Sequence, residues 1–126
     1  MGAHRNVALS ELNLRGLSIN ADAGDTTTIN VVASDSGVMF INYEVGGDVT
    51  YNLPAVADAS GKMFWFFNAQ NTKSVIVNAP TSTLIMSNTV VANQTTSANT
   101  IGECSFVVCD GSKYFMFPIS GTWANS

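Results

Sequence analysis

The chain has 126 residues, with 5 Lys and Arg against 9 Asp and Glu, a net charge of −4 and only 11% charged residues. A negative chain with no basic stripe is excluded from capturing a nucleic-acid backbone by counterion release. No apolar run approaches the ~20 residues of a membrane-spanning helix, and the length is enough for one domain to bury a core without metals or disulfide staples.

Charged residues usually make up roughly a quarter of a globular protein, so here Ser, Thr and Asn must carry most of the contact with water. Hydroxyls and amides cost less to desolvate than ions, which favours contacts between subunits. The N-terminus shows no uninterrupted apolar stretch of an export signal, so synthesis and assembly in a cytosol are expected.

Residues 1–20 open the chain with Val7, Leu9, Leu12, Leu14, Leu17 and Ile19 at mixed spacing, broken by Arg15-Gly16. The pattern fits neither a clean helix nor a clean strand and predicts an extended arm. Ten extended residues reach about 35 Å, enough to cross onto a neighbouring subunit. His4, Arg5, Val7, Leu9, Leu12, Leu14 and Arg15 are the candidate partner-binding residues of this arm. The alternative is that its leucines complete the core.

After the turn Asp22-Ala23-Gly24-Asp25, a strand is predicted over 26–32 and another over 38–45. Gly46-Gly47-Asp48 supplies residues that tolerate positive φ, which predicts a hairpin into 49–53, closed by Pro54. Met39, Ile41, Tyr43 and Val45 are assigned to the core, with Val38, Phe40, Asn42 and Glu44 facing outward. Between Gly16 and Gly61 lie Asp22, Asp25, Asp35, Glu44, Asp48 and Asp58 without a Lys or Arg, as solvated loops or as an acidic docking face.

The run Met63-Phe64-Trp65-Phe66-Phe67 is apolar on both sides, as expected of a strand that is central in a sandwich or lies at a subunit contact. Hairpins are predicted through Asn68-Ala69-Gln70-Asn71-Thr72 into 74–77, and through Asp110-Gly111-Ser112 between 104–109 and 114–119. The segment 79–99, short apolar pieces among Thr, Ser and Asn, is placed at a rim or around an oligomer axis.

Little catalytic chemistry is available. His4 is the single histidine, so imidazole-based hydrolases and His-rich metal sites lack their base or ligands. Asp22 with Asp25, or Glu103 with Asp110, are formal carboxylate pairs, but Asp beside Gly is better read as turn chemistry. Cys104 and Cys109 are five apart on one strand, point to opposite faces about 17 Å apart and are expected to be buried free thiols. Asn93-Gln94-Thr95 is an incidental match to a glycosylation acceptor. No catalytic residue, cofactor, metal or small-molecule substrate is expected.

Leu53-Pro54, a loop ending in Ser60-Gly61-Lys62, an aromatic strand ending in Phe67-Asn68, Val75-Ile76-Val77 and then Asp110-Gly111-Ser112-Lys113-Tyr114 form a succession. It resembles modules of virion proteins of tailed bacteriophages, found in capsid decoration (cement) proteins and in tail fibres or spikes. The likeness covers residues 50–117 and departs at 79–99, which lacks a single glycine-marked turn. It implies an all-β, usually trimeric domain displayed on a particle surface without enzymatic activity.

The expected fold is an antiparallel β-sandwich or jelly-roll-like barrel over 21–126 with an extended N-terminal arm over 1–20. The expected function is that of a capsid decoration protein, assembled in the host cytoplasm, that trimerises on the capsid and clamps the major capsid protein through the arm. The alternative is a receptor- or glycan-binding tail fibre or spike domain with Tyr43, Tyr51, Tyr114 or Trp123 as stacking surfaces. A cellular adhesion or lectin-like module is a third reading, disfavoured by the missing export signal.

Overall fold

The computed structural model describes residues 14–20, 28–43, 47–80, 83–86, 89–91 and 94–125. Short β-branched and aromatic runs between turn residues fold as twelve strands among these residues: β1 (Gly16–Asn20), β2 (Thr28–Asn30), β3 (Val38–Asn42), β4 (Val49–Asn52), β5 (Met63–Asn68), β6 (Val75–Asn78), β7 (Leu84–Met86), β8 (Thr89–Val91), β9 (Gln94–Ser97), β10 (Glu103–Cys109), β11 (Tyr114–Ser120) and β12 (Trp123–Asn125). They form a seven-stranded sheet in the order β1-β3-β5-β10-β11-β7-β8 and a five-stranded sheet in the order β12-β9-β6-β4-β2.

The expected all-β class and two sheets are present, but the connectivity differs from an antiparallel sandwich. From β1 to β6 the chain alternates between the sheets, and each pass lies parallel to the one before. This makes three stacked coils, a short solenoid-like arrangement. The predicted hairpin over 38–53 is therefore a coil corner: β3 and β4 belong to different sheets, as do β5 and β6. Turn chemistry at a solenoid corner and in a hairpin is the same, so Gly and Asp residues alone do not separate them. Asp48 Oδ1 accepts the N–H of Ser74 at 2.8 Å, which ties one corner to the corresponding corner of the next coil.

The coils are kept in register by asparagine. Asn20, Asn42 and Asn68 stand opposite one another at the ends of β1, β3 and β5. Asn20 Nδ2 donates to Asn42 Oδ1 and Asn42 Nδ2 to Asn68 Oδ1, both at 3.4 Å. In the other sheet Asn78 donates to Asn52 at 2.8 Å and Asn52 to Asn30 at 3.0 Å. Like side chains stacked in register each supply a donor to one neighbour and an acceptor to the other, so a one-residue slip would strand several buried amides.

This ladder also turns β3 over relative to the expected assignment of its faces. Phe40 and Asn42 point inward, Met39 and Ile41 are half-buried on the opposite side, and Tyr43 is exposed. Two intervening groups decide it. Phe40 stacks on Phe66 at 5.7 Å and meets Tyr51 of the opposite sheet at 5.4 Å, while Asn42 joins the ladder. Glu44 and Val45 lie outside the described residues.

Beyond β6 the chain completes both sheets with mainly antiparallel strands. β10 pairs with β5 and with β11, so the hairpin around Asp110 forms as expected. Asp110 Oδ1 accepts the N–H groups of Ser112 and Lys113, each at 2.8 Å. The segment 79–99 is divided: β8 is an edge strand, whereas β9 lies between β6 and β12 with Thr95 and Ser97 buried. The core between the sheets includes Val49, Tyr51, Phe64, Phe66, Val75, Val77, Leu84, Val107 and Tyr114, all inaccessible to solvent.

Candidate association surface

Strand β5 presents Phe64 and Phe66 to the core and Met63, Trp65 and Phe67 to the outer side of the seven-stranded sheet. Register extends that outer side across the sheet. Leu17, Met39, Trp65, Phe106 and Phe117 stand opposite one another in one row. Ile19, Ile41, Phe67, Cys104 and Ser120 form a second row, and Met63, Val108, Phe115 and Ile85 a third. None of these side chains is charged, and all but Ser120 are apolar.

The middle of the first row is a continuous stack. Trp65 and Phe106 have ring centroids 4.8 Å apart, as do Phe106 and Phe117, the latter pair stacked with nearly parallel planes at 16°. Such cross-strand aromatic pairs contribute roughly 0.5–1.5 kcal/mol beyond the area they bury. The row ends are open: Leu17 is 57% exposed and Phe117 47%. A depression of about 410 Å³ beside Lys62, Met63, Trp65, Phe106 and Val108 roughens the face. The indole N–H of Trp65 is buried with no hydrogen-bond acceptor.

The polar groups of this sheet gather on its inner side. Glu103, almost fully buried, accepts N–H groups of Ala98 at 2.6 Å and Thr100 at 3.1 Å and an amide hydrogen of Asn68 at 3.3 Å, which ends the asparagine ladder on a carboxylate. Gly121, at φ +83°, passes so close that a Cβ there would meet Glu103 Cγ at 2.5 Å. Glu103 begins β10 and Asp110 follows its end, so the strand holds this formal carboxylate pair apart. Asp22 and Asp25 lie outside the described residues. Cys109 is buried on the inner side and Cys104 half-buried on the outer; both are free, and burial pushes both thiols up from their ordinary pKa.

Of the predicted arm residues, His4, Arg5, Val7, Leu9 and Leu12 lie outside the described residues. Leu14 is exposed. Arg15 is engaged within its own chain, its guanidinium donating to the carbonyls of Ser36 at 2.9 Å and Ser34 at 3.2 Å. The last five residues of the segment expected as an arm, Gly16–Asn20, form the edge strand β1, and Leu17 and Ile19 face outward rather than completing the core.

The predicted stacking residues are not brought together on a surface. Tyr51 and Tyr114 are fully buried and Trp123 nearly so, with the Tyr114 hydroxyl donating to the Pro54 carbonyl at 2.6 Å; Tyr43 alone is exposed. Sequence reasoning missed the alignment of Met39, Trp65, Phe106 and Phe117. The available signal was that β3, β5, β10 and β11 are each apolar at both parities over part of their length.

Among the described residues no group of His, Cys, Asp and Glu could hold a metal ion, and no helix is long and apolar enough to cross a membrane. No protein-family model and no curated protein matches this chain.

Proposed function

We propose that the chain is a non-enzymatic structural subunit that works by association, as a trimeric decoration protein on a virion surface that stabilises the shell. The supporting observation is the uncharged, apolar outer side of the seven-stranded sheet. A contiguous apolar face of this kind is a feature of contact surfaces rather than of solvated ones. The likeness of residues 50–117 to phage virion modules supplies the particle, and the major capsid protein is the proposed partner. The leader ahead of β1 is the second contact: residues 1–13 precede the edge strand of the same sheet and could add a strand to a shell subunit, with three copies per trimer acting multivalently.

Co-sedimentation of the purified protein with undecorated capsids tests the reading, and no binding at any salt concentration refutes it. A chain lacking residues 1–13, which leaves Arg15 and its bonds in place, is expected to keep the far-ultraviolet circular dichroism of the full chain and to lose particle binding. Retained binding would overturn the role of the leader while leaving decoration intact.

One observation favours the second reading, a tail fibre or spike domain. Among the described residues β1 and β2 are both edge strands of parallel stacks, which leaves the first coil with a free side in each sheet for further stacking, as a shaft requires. Immuno-electron microscopy of particles decides between shell and tail.

A further inference from the structure

We infer that the outer side of the seven-stranded sheet is the surface through which copies of this chain meet, turned towards the axis of the proposed trimer. The inference rests on the reading of the protein as an oligomeric structural subunit, and names the face and its occupant.

Charge argues for a second copy. Each chain carries a net charge of −4, so copies repel one another least when they meet through a surface that brings no carboxylate into contact. The three rows centred on Trp65 are such a surface, with no charged side chain in them. A foreign partner selected by charge would find only Lys62, beside the depression at the margin of the rows.

Area argues the same way. With strands ~4.8 Å apart and same-face residues ~6.6 Å apart along each strand, the three rows cover about 440 Å². Specific interfaces bury about 600–1,000 Å² on each partner, so the three rows supply the greater part of the smallest such interface and the margins of the face complete it. Its relief is uneven, with exposed Leu17 and Phe117 at the two ends of the first row and a depression of about 410 Å³ between them, lined by Lys62, Met63, Trp65, Phe106 and Val108.

The test is sedimentation velocity on the full chain across the micromolar range, for the natural sequence, for the double variant Leu17→Ser/Phe117→Ser, and for Ile101→Ser. Ile101 is 57% exposed and lies in none of the three rows, so it controls for general loss of surface apolarity. The natural chain and the control are expected to sediment as one defined oligomer. The double variant is expected to dissociate at concentrations about 100-fold higher, with circular dichroism unchanged.

A monomeric natural chain, or an oligomer that the double variant leaves intact or that the control breaks, overturns the inference. A measurement on the natural chain alone serves if the double variant fails to fold. In the oligomer, peroxide should oxidise the outer Met39 and Met63 as slowly as the buried Met116, and fast oxidation of the outer pair overturns the inference. A monomeric chain that still co-sediments with capsids removes only this inference. An intact oligomer that binds no particle removes the decoration reading instead.

Discussion

Strand β5 sets similar residues in two environments. Phe64 and Phe66 point inward and are inaccessible, whereas Trp65 and Phe67, one position along, point outward and remain half-buried. Folding of one chain accounts for the inner pair, since burying each large apolar side chain stabilises by roughly 1.5–3 kcal/mol. It does not account for the outer pair, whose remaining exposure is unfavourable. The asymmetry is reinforced by an inversion of polarity: buried Asn42, Asn68, Glu103 and Ser105 lie on the inner side, and almost no polar group on the outer. A single sheet thus separates what the fold requires from what an assembly would use.

The largest effect that would sharpen this contrast is expected at the inner side. Phe66→Ala removes a ring in contact with both Phe40 and Tyr51 and should cost about 3–5 kcal/mol in urea unfolding. A cost near zero would mean that the inner side is not the core.

Asn42→Ala comes next. It leaves amide groups of Asn20 and Asn68 short of their ladder partner and should cost about 1–3 kcal/mol by the same measurement. Asn42→Asp, which removes the donor to Asn68, should not restore the stability.

At the outer side the expectation reverses. Phe117→Ser should change the stability of the isolated chain by less than about 1 kcal/mol, because the ring is already half exposed, yet weaken self-association. A loss of stability as large as that of Phe66→Ala would erase the distinction between the two sides.

The smallest effect lies outside both. The N–H groups of Lys113 and Ser112 hold the Asp110 carboxyl below its ordinary value of 3.8. Its folded pKa is the lower one, so its contribution is complete above about pH 4 and is lost as pH falls through the folded value. The urea midpoint should therefore fall less between pH 5 and 2 in Asp110→Asn than in the natural chain.

Much of this was legible in the residues. Alternation in Met63-Phe64-Trp65-Phe66-Phe67 identified a strand apolar on both sides, expected to be central or at a subunit contact, and Asp110-Gly111-Ser112 identified a hairpin whose partners are adjacent in sequence. The solenoid repeat is also written there. An apolar residue followed by Asn occurs at Ile19-Asn20, Ile29-Asn30, Ile41-Asn42, Tyr51-Asn52, Phe67-Asn68 and Val77-Asn78, with the two asparagines of each coil ten apart. Repeats of unequal length, 22 and then 26 residues, hide that period from a search at fixed spacing.

By itself the amino-acid sequence determined that the chain is all-β, nearly uncharged and poor in catalytic groups, because strand propensity and composition are local properties. The direction of pairing, the inward turn of Phe40 and Asn42, and the alignment of Leu17, Met39, Trp65, Phe106 and Phe117 into one row were decided only by the tertiary structure. Each depends on which distant strand lies alongside, and a corner residue such as Gly47 or Asp48 serves a hairpin and a crossover between sheets equally well.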